Sequence, residues 1–205
     1  MSGLDDQLLL WINQGWAHPW LDLFFSWISD RKTFSLPLVG LLLVISLWKF
    51  GSRGLLLWLT MVLVVIGSDR IGNVLKNHFA EPRPCYELSA ELRKPGGSEV
   101  VKRCEHSTKG LPSNHTFNFF AMALFMSFFL RGWGWRTALI GVSLLVAISR
   151  IYLAKHYPSQ VGVGLLLGVS YGFVLGWLVV RFIPYLRTLH QRAGGAIRIK
   201  KGEWL

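Results

Sequence analysis

Charged residues are scarce in this 205-residue sequence, only 16% of the total, and acidic ones scarcer still, with 11 Asp and Glu against 22 Lys and Arg. So little charge excludes an ordinary water-covered domain, which carries about a quarter charged residues. The basic excess of +11 falls between apolar stretches and in the C-terminal tail, with no continuous stripe, so no nucleic-acid partner is expected. The N-terminus has Asp5 and Asp6 where a basic n-region would stand, which argues against a cleavable signal. No H-E-x-x-H or comparable ligand spacing occurs, so no metal cofactor is expected. Internal repeats, low-complexity tracts and a second domain are also missing.

Apolar residues fill the space that charge leaves, at 52% of the chain. Several runs have the length that crosses a hydrocarbon core at about 1.5 Å per residue, and five read as spans: Phe34 to Phe50, Gly54 to Lys76, Thr116 to Leu130, Trp135 to Leu153 and Gln160 to Ile183. The expectation is an all-α integral membrane protein, a bundle of five clear transmembrane helices forming one membrane-embedded domain over residues 1–205. Residues 1–33 carry apolar runs too short for a span, with Leu8, Trp11, Ile12 and Trp16 at helical spacing and Trp20 and Trp27 as headgroup-level rings. They read as interfacial or re-entrant helices, the alternative being a sixth span from near Trp20, with a break, toward Trp48.

Lys49, Arg53, Arg131 and Arg136 mark two short turns, and Arg187, Arg192, Arg198, Lys200 and Lys201 mark the tail. By parity all lie on one side, which the positive-inside rule makes cytoplasmic, with 184–205 as a basic cytoplasmic tail. The loop 77–113 then faces outward, toward the periplasm of a cell inner membrane or an equivalent compartment. Cys85 and Cys104 both fall in it, and oxidising surroundings favour a disulfide between them. Such a loop closure contributes on the order of 3 kcal/mol in the chain-entropy model.

Three polar clusters collect at the outward ends of different spans: Lys76 with Arg83-Pro84, Pro112-Ser113-Asn114-His115, and Ser149-Arg150 through His156 to Gln160. Ionisable groups at membrane depth are costly and usually functional. Three cations, two imidazoles and a helix N-terminus on one surface suit a bound phosphate. Two imidazoles can divide the remaining work, one as nucleophile and one as acid.

At these residues the chain resembles the type 2 phosphatidic acid phosphatases, the PAP2 or lipid phosphate phosphatase superfamily. That family's K-x6-R-P, P-S-G-H and S-R-x5-H-x3-D read here as Lys76-NHFAEP-Arg83-Pro84, Pro112-Ser113-Asn114-His115 and Ser149-Arg150-IYLAK-His156-YPS-Gln160. The resemblance implies a PAP2-like bundle and a metal-free phosphatase. It casts His156 as the nucleophile that becomes phosphohistidine, and His115 as the acid for the departing oxygen. Lys76, Arg83 and Arg150 become a phosphate clamp, with Ser113 and the backbone at Asn114 as further donors. Two positions depart from the pattern. Asn114 replaces glycine, and Gln160 replaces the aspartate that orients the nucleophile.

The function this implies is hydrolysis of a lipid phosphomonoester or diphosphate, with a polyprenyl diphosphate or a phospholipid phosphate as substrate, because a compact chain leaves little room for a large sugar headgroup. Two alternatives stand beside it: a phosphotransferase passing the group to a lipid acceptor, and a catalytically weakened phosphate-binding member on account of Gln160 and Asn114. Asp69-Arg70 reads as an intramembrane ion pair. Met122 and Met126, with Phe119, Phe120, Phe125, Phe128 and Phe129, read as packing or lipid-facing residues, or as an acyl-chain groove.

Overall fold

Short apolar and amphipathic runs near the N-terminus become two helices too short to span a bilayer. The computed structural model describes residues 3–88, 90–93, 95, 109–130 and 132–192, and every regular element among them is helical. Helix α1 is Leu4–Gly15, and α2 is Pro19–Ile28 with proline at its first position and the His18 ring accepting from Trp20 N at 3.2 Å. The chain breaks at Ser29–Asp30, then makes a π-helical turn, Arg31–Ser35, that runs into α3, Leu36–Phe50. The break separates Trp20 from Trp48, so no single helix joins them.

Gly51, at φ 58°, turns the chain into α4, Ser52–Phe79. A short α5, Pro84–Glu87, follows, and then α6, Asn114–Ser127, α7, Trp133–Tyr152, and α8, Pro158–Arg192. Among the described residues, four segments are long and apolar enough to cross a membrane by length and composition: Arg31–Trp48, Gly54–Phe79, Trp133–Tyr152 and Pro158–Phe182. Helix α8 continues past the expected end at Ile183, and residues 193–205 of the expected tail lie outside the described set.

The run expected to span from Thr116 to Leu130 forms a shorter helix, enclosed by its neighbours. Its 14 residues cover about 21 Å, and it runs from beside Gln160, whose backbone oxygen meets Ser113 N, back to the start of α7. It is apolar because it is enclosed by protein: Phe117, Ala121, Ala123 and Phe125 are buried, and α4, α7 and α8 pack around it. The closest approach is to α8, where glycines recur every fourth residue. A Cβ on Gly164 would lie 2.7 Å from Ser113 O, one on Gly168 2.7 Å from Phe117 O, and one on Gly172 2.3 Å from Ala121 O. Only small residues allow backbones this close.

Helices α1 and α2 pack against α7 at one end of the bundle. Asn13 is buried and donates to Tyr152 O at 2.8 Å and Arg93 O at 3.1 Å, while accepting from Arg93 N at 2.9 Å. Asp22 Oδ2 takes Arg93 NH1 at 2.7 Å, and the Tyr152 hydroxyl donates to the other carboxylate oxygen. The Arg93 hydrogen bond holds the Asp22 carboxyl below its ordinary value of 3.8. Asp5 accepts from both Ser159 N, at 2.9 Å, and Ser159 Oγ, acting across the fold as a cap for α8. Cys85 is buried and is not a free thiol, and Cys104 lies outside the described residues.

Candidate active site

The last turn of α4, the start of α6 and the loop between α7 and α8 meet at this same end. Lys76 Nζ and Arg83 Nε both donate to Lys109 O, at 3.4 and 3.2 Å, which draws the two cations of the first motif together. Burial pulls the Arg83 guanidinium below its ordinary value. Lys109 Nζ is held by Asn77 Oδ1 at 2.6 Å, and Gly110 N donates to Glu81 O.

Gln160 joins all three motifs. Its backbone oxygen accepts from Ser113 N at 3.1 Å, and its side-chain Nε2 donates to Pro82 O at 2.8 Å, one residue before Arg83. Because Nε2 is committed to a carbonyl, Oε1 faces His156 Nδ1 at 3.2 Å and Tyr157 N at 3.4 Å. That orientation of the amide makes Nδ1 the protonated ring nitrogen and leaves the Nε2 lone pair of His156 free. The side chain is 1% exposed, and a Cβ on Gly110 would strike its amide at 2.4 Å.

His156 itself is 2% exposed. Burial holds its imidazole well below the ordinary 6.5, and the charges of Arg150, Arg83 and Lys76 push it in the same direction. The ring is therefore neutral at physiological pH. Its loop is set by Arg150 O, which accepts from Lys155 N at 2.9 Å and His156 N at 3.2 Å, with Ala154 between them in the left-handed region at φ 51°. The Arg150 side chain is buried and donates through NH1 to Ser29 Oγ at the end of α2. Its Nε is buried without a partner, a donor that a phosphate oxygen would satisfy.

Ser113 is fully buried, its hydroxyl oxygen accepting from Thr116 Oγ1 at 3.1 Å. Asn114 spends its amide on α4, donating to Asp69 Oδ1 at 3.0 Å and Asn73 Oδ1 at 2.9 Å, with its own Oδ1 lying against Gly72. The expected Asp69–Arg70 ion pair is absent. Asp69 instead accepts from Asn114, Asn118 and Asn73, because amides on α6 and the next turn of α4 reach it, whereas Arg70 is exposed.

His115 opens onto a cleft of about 320 Å³ between the π turn, α3, α4 and α6. Leu38, Val65, Phe119 and Met122 give it apolar walls, and Arg31 and Arg70 lie along it. Phe120, Phe125 and Met126 are buried in the core instead. No group of three His, Cys, Asp or Glu among the described residues is arranged to hold a metal ion.

A family model of the PAP2 superfamily matches residues 55–188. The chain belongs to the PAP2 superfamily. Within that superfamily it is 27% identical over 189 residues to a lipid A 4'-phosphatase of Porphyromonas gingivalis, covering 90% of this chain and 75% of the relative. It is 28% identical over 154 residues to the undecaprenyl-diphosphatase BcrC of Bacillus subtilis, covering 71% and 68%. The crystal structure of Aquifex aeolicus LpxE superposes with a TM-score of 0.65 at 25% identity, over 84% of this chain and 94% of that one. A PAP2-type phosphatidylglycerolphosphate phosphatase of Bacillus subtilis shares the fold, with a TM-score of 0.61 at 23% identity over 87% of each chain.

Several contributors to this PAP2 site carry no sequence signal of their own. Ser29 reaches Arg150 across 121 residues, and the carbonyls of Pro82 and Lys109 act through backbone atoms that any residue would supply. Arg31 had one faint marker, as the first cation after thirty residues without Lys or Arg.

Proposed function

We propose that the chain is a membrane lipid phosphatase that turns over through a phosphohistidine on Nε2 of His156. The observation that carries the reading is the buried, neutral His156 ring, whose Nδ1–H is engaged by Gln160 Oε1 so that Nε2 is the free nucleophile. Lys76, Arg83 and Arg150 hold the phosphoryl oxygens, and the unpartnered Arg150 Nε supplies a donor for one of them. Nε2 attacks phosphorus and the bond to the lipid oxygen breaks. The electron pair goes to that oxygen, which takes a proton from His115. Burial, with the charges of Arg150 and Arg31, holds that ring well below its ordinary 6.5, and the negative charge of a bound phosphate raises it so that the ring can carry the proton. Water then attacks phosphorus, giving a proton to His115, as the N–P bond breaks with its electron pair returning to His156 Nε2 and inorganic phosphate is released.

The site lies on the extracytoplasmic face of the cell membrane and the C-terminus is cytoplasmic, a reading supported by the basic residues at the two short turns and in the tail. The cleft at His115 supports a lipid leaving group, since its walls are apolar and it opens between spanning helices.

Purified chain in detergent, given lipid phosphates with water as the sole acceptor, is expected to release inorganic phosphate. His156→Ala is expected to lose that release to background while keeping its helical content, and the parent chain quenched in turnover is expected to carry acid-labile phosphate. Full turnover by the alanine variant would overturn the mechanism.

A further inference from the structure

The superfamily motifs account for three cations, yet two more guanidinium groups border the cleft at His115. Arg31, at the start of the π turn, and Arg70, on α4, are both exposed, and neither has a hydrogen-bond or ion-pair partner among the described residues. Arg31 lines the cleft onto which His115 opens and which His156 does not border, so it stands on the acid's side of the site.

In-line displacement sets the nucleophile and the departing oxygen on opposite sides of phosphorus. His115 borders the cleft and His156 does not, so the cleft is where the leaving group lies. Its apolar walls match a hydrocarbon chain. A cation bordering it has no counterpart in an uncharged alcohol, but it does in a leaving group that carries a phosphate of its own.

We infer that Arg31 is a specificity-determining residue that binds the retained phosphate of a long-chain lipid diphosphate, so that this site prefers a diphosphate to a monophosphate. The inference rests on the phosphohistidine reading above and names its substrate class. The terminal phosphorus bonds to His156 Nε2 as its bond to the bridging oxygen breaks. The electron pair stays on that oxygen, which becomes part of a lipid monophosphate and takes the His115 proton. Arg31 offsets the charge that the departing monophosphate would otherwise hold unscreened against an apolar wall. Water then frees one inorganic phosphate per diphosphate.

The test compares kcat/KM for phosphate release by the full chain in detergent on three probes: farnesyl diphosphate, farnesyl monophosphate and a diacyl phosphatidic acid. In Arg31→Gln, the ratio of diphosphate to monophosphate kcat/KM is expected to fall about tenfold, the scale of one charge-assisted contact. Arg31→Lys is expected to recover part of it, and Arg70→Gln to change it less. Parallel loss on all three probes, which a headgroup anchor or a folding defect would produce, overturns the inference, as does an unchanged ratio. Failure of the underlying reading looks different: turnover surviving in His156→Ala, or no phosphate from any probe with the parent chain.

Discussion

Replacing Gln160 by leucine removes three side-chain hydrogen bonds from one buried position while adding no charge. In the resting site the bond from His156 Nδ1 is a neutral one, worth about 0.5–1.5 kcal/mol. When Nε2 takes the phosphoryl group the ring becomes cationic, and the same contact rises to about 1.5–3 kcal/mol. The difference of roughly 1–1.5 kcal/mol exists only beyond the ground state, so it lowers kcat by about five- to fifteenfold and leaves KM alone. Leucine also frees the ring to adopt the wrong tautomer, and the total loss expected is about 10- to 100-fold in kcat. Pro82 O loses its 2.8 Å donor, at a cost of about 1–3 kcal/mol in stability.

Gln160→Asp separates charge from tethering. The carboxylate strengthens the contact to the cationic ring but cannot donate to Pro82 O. It also draws the His156 pKa upward from the depressed position that burial and the neighbouring cations impose. A nucleophile must be neutral, so rate is lost as pH falls through the folded-state pKa. The parent is expected to hold its kcat/KM plateau below pH 6.5, and the aspartate variant to begin losing rate at higher pH than the parent does. Phosphate release in detergent across pH 5–9, beside thermal unfolding, reads both effects. A folded leucine variant within twofold of parental kcat, or an aspartate variant with an unmoved acid limb, refutes this account of Gln160.

Two further predictions concern the frame around the site. Gly72→Ala puts a Cβ 2.5 Å from Asn114 Oδ1, which is expected to destabilise the fold by about 1–3 kcal/mol. Adding Asn114→Gly should recover most of that loss in a double-mutant cycle read by thermal unfolding, and strict additivity would count against the contact. Asp22→Asn tests the Arg93 pair. Because the folded carboxyl sits below 3.8, its stabilisation is present above that pH and disappears as pH falls through the folded value. The gap in unfolding temperature between parent and variant should therefore close on acidification, and a gap equal at pH 7 and pH 3 would refute the assignment.

The three motifs were legible because their spacing is local and their parity follows from counting helices. Membrane-crossing segments were legible for a similar reason, since apolar length is a property of consecutive residues. Helix α6 was legible as an apolar run, but burial in protein and burial in lipid select the same residues, and only its neighbours tell Phe117 and Phe125 from lipid-facing side chains. The Asp69–Arg70 pairing failed for a geometric reason. Adjacent residues on a helix point about 100° apart, while Asn73 and Asn114 reach the carboxylate directly. Asn114 stood out as a departure from the family's glycine, but where its amide goes was decided by the bare face of Gly72, forty-two positions away. The amphipathic pattern of residues 1–33 announced short helices, but nothing in it announced Ser29 as the support of Arg150, a contact made only once α2 lies on α7.

The bare glycine seam of α8 has a consequence for the spacing of the two imidazoles. Since Gly164, Gly168 and Gly172 bring α8 against α6 main chain to main chain, the two rods behave as one beam. His115 begins one rod, and His156 sits just ahead of the other. The gap between the two rings is therefore gauged along this beam, while the hydrophilic loop before it contributes the Pro82 and Lys109 carbonyls that aim Gln160 and the clamp.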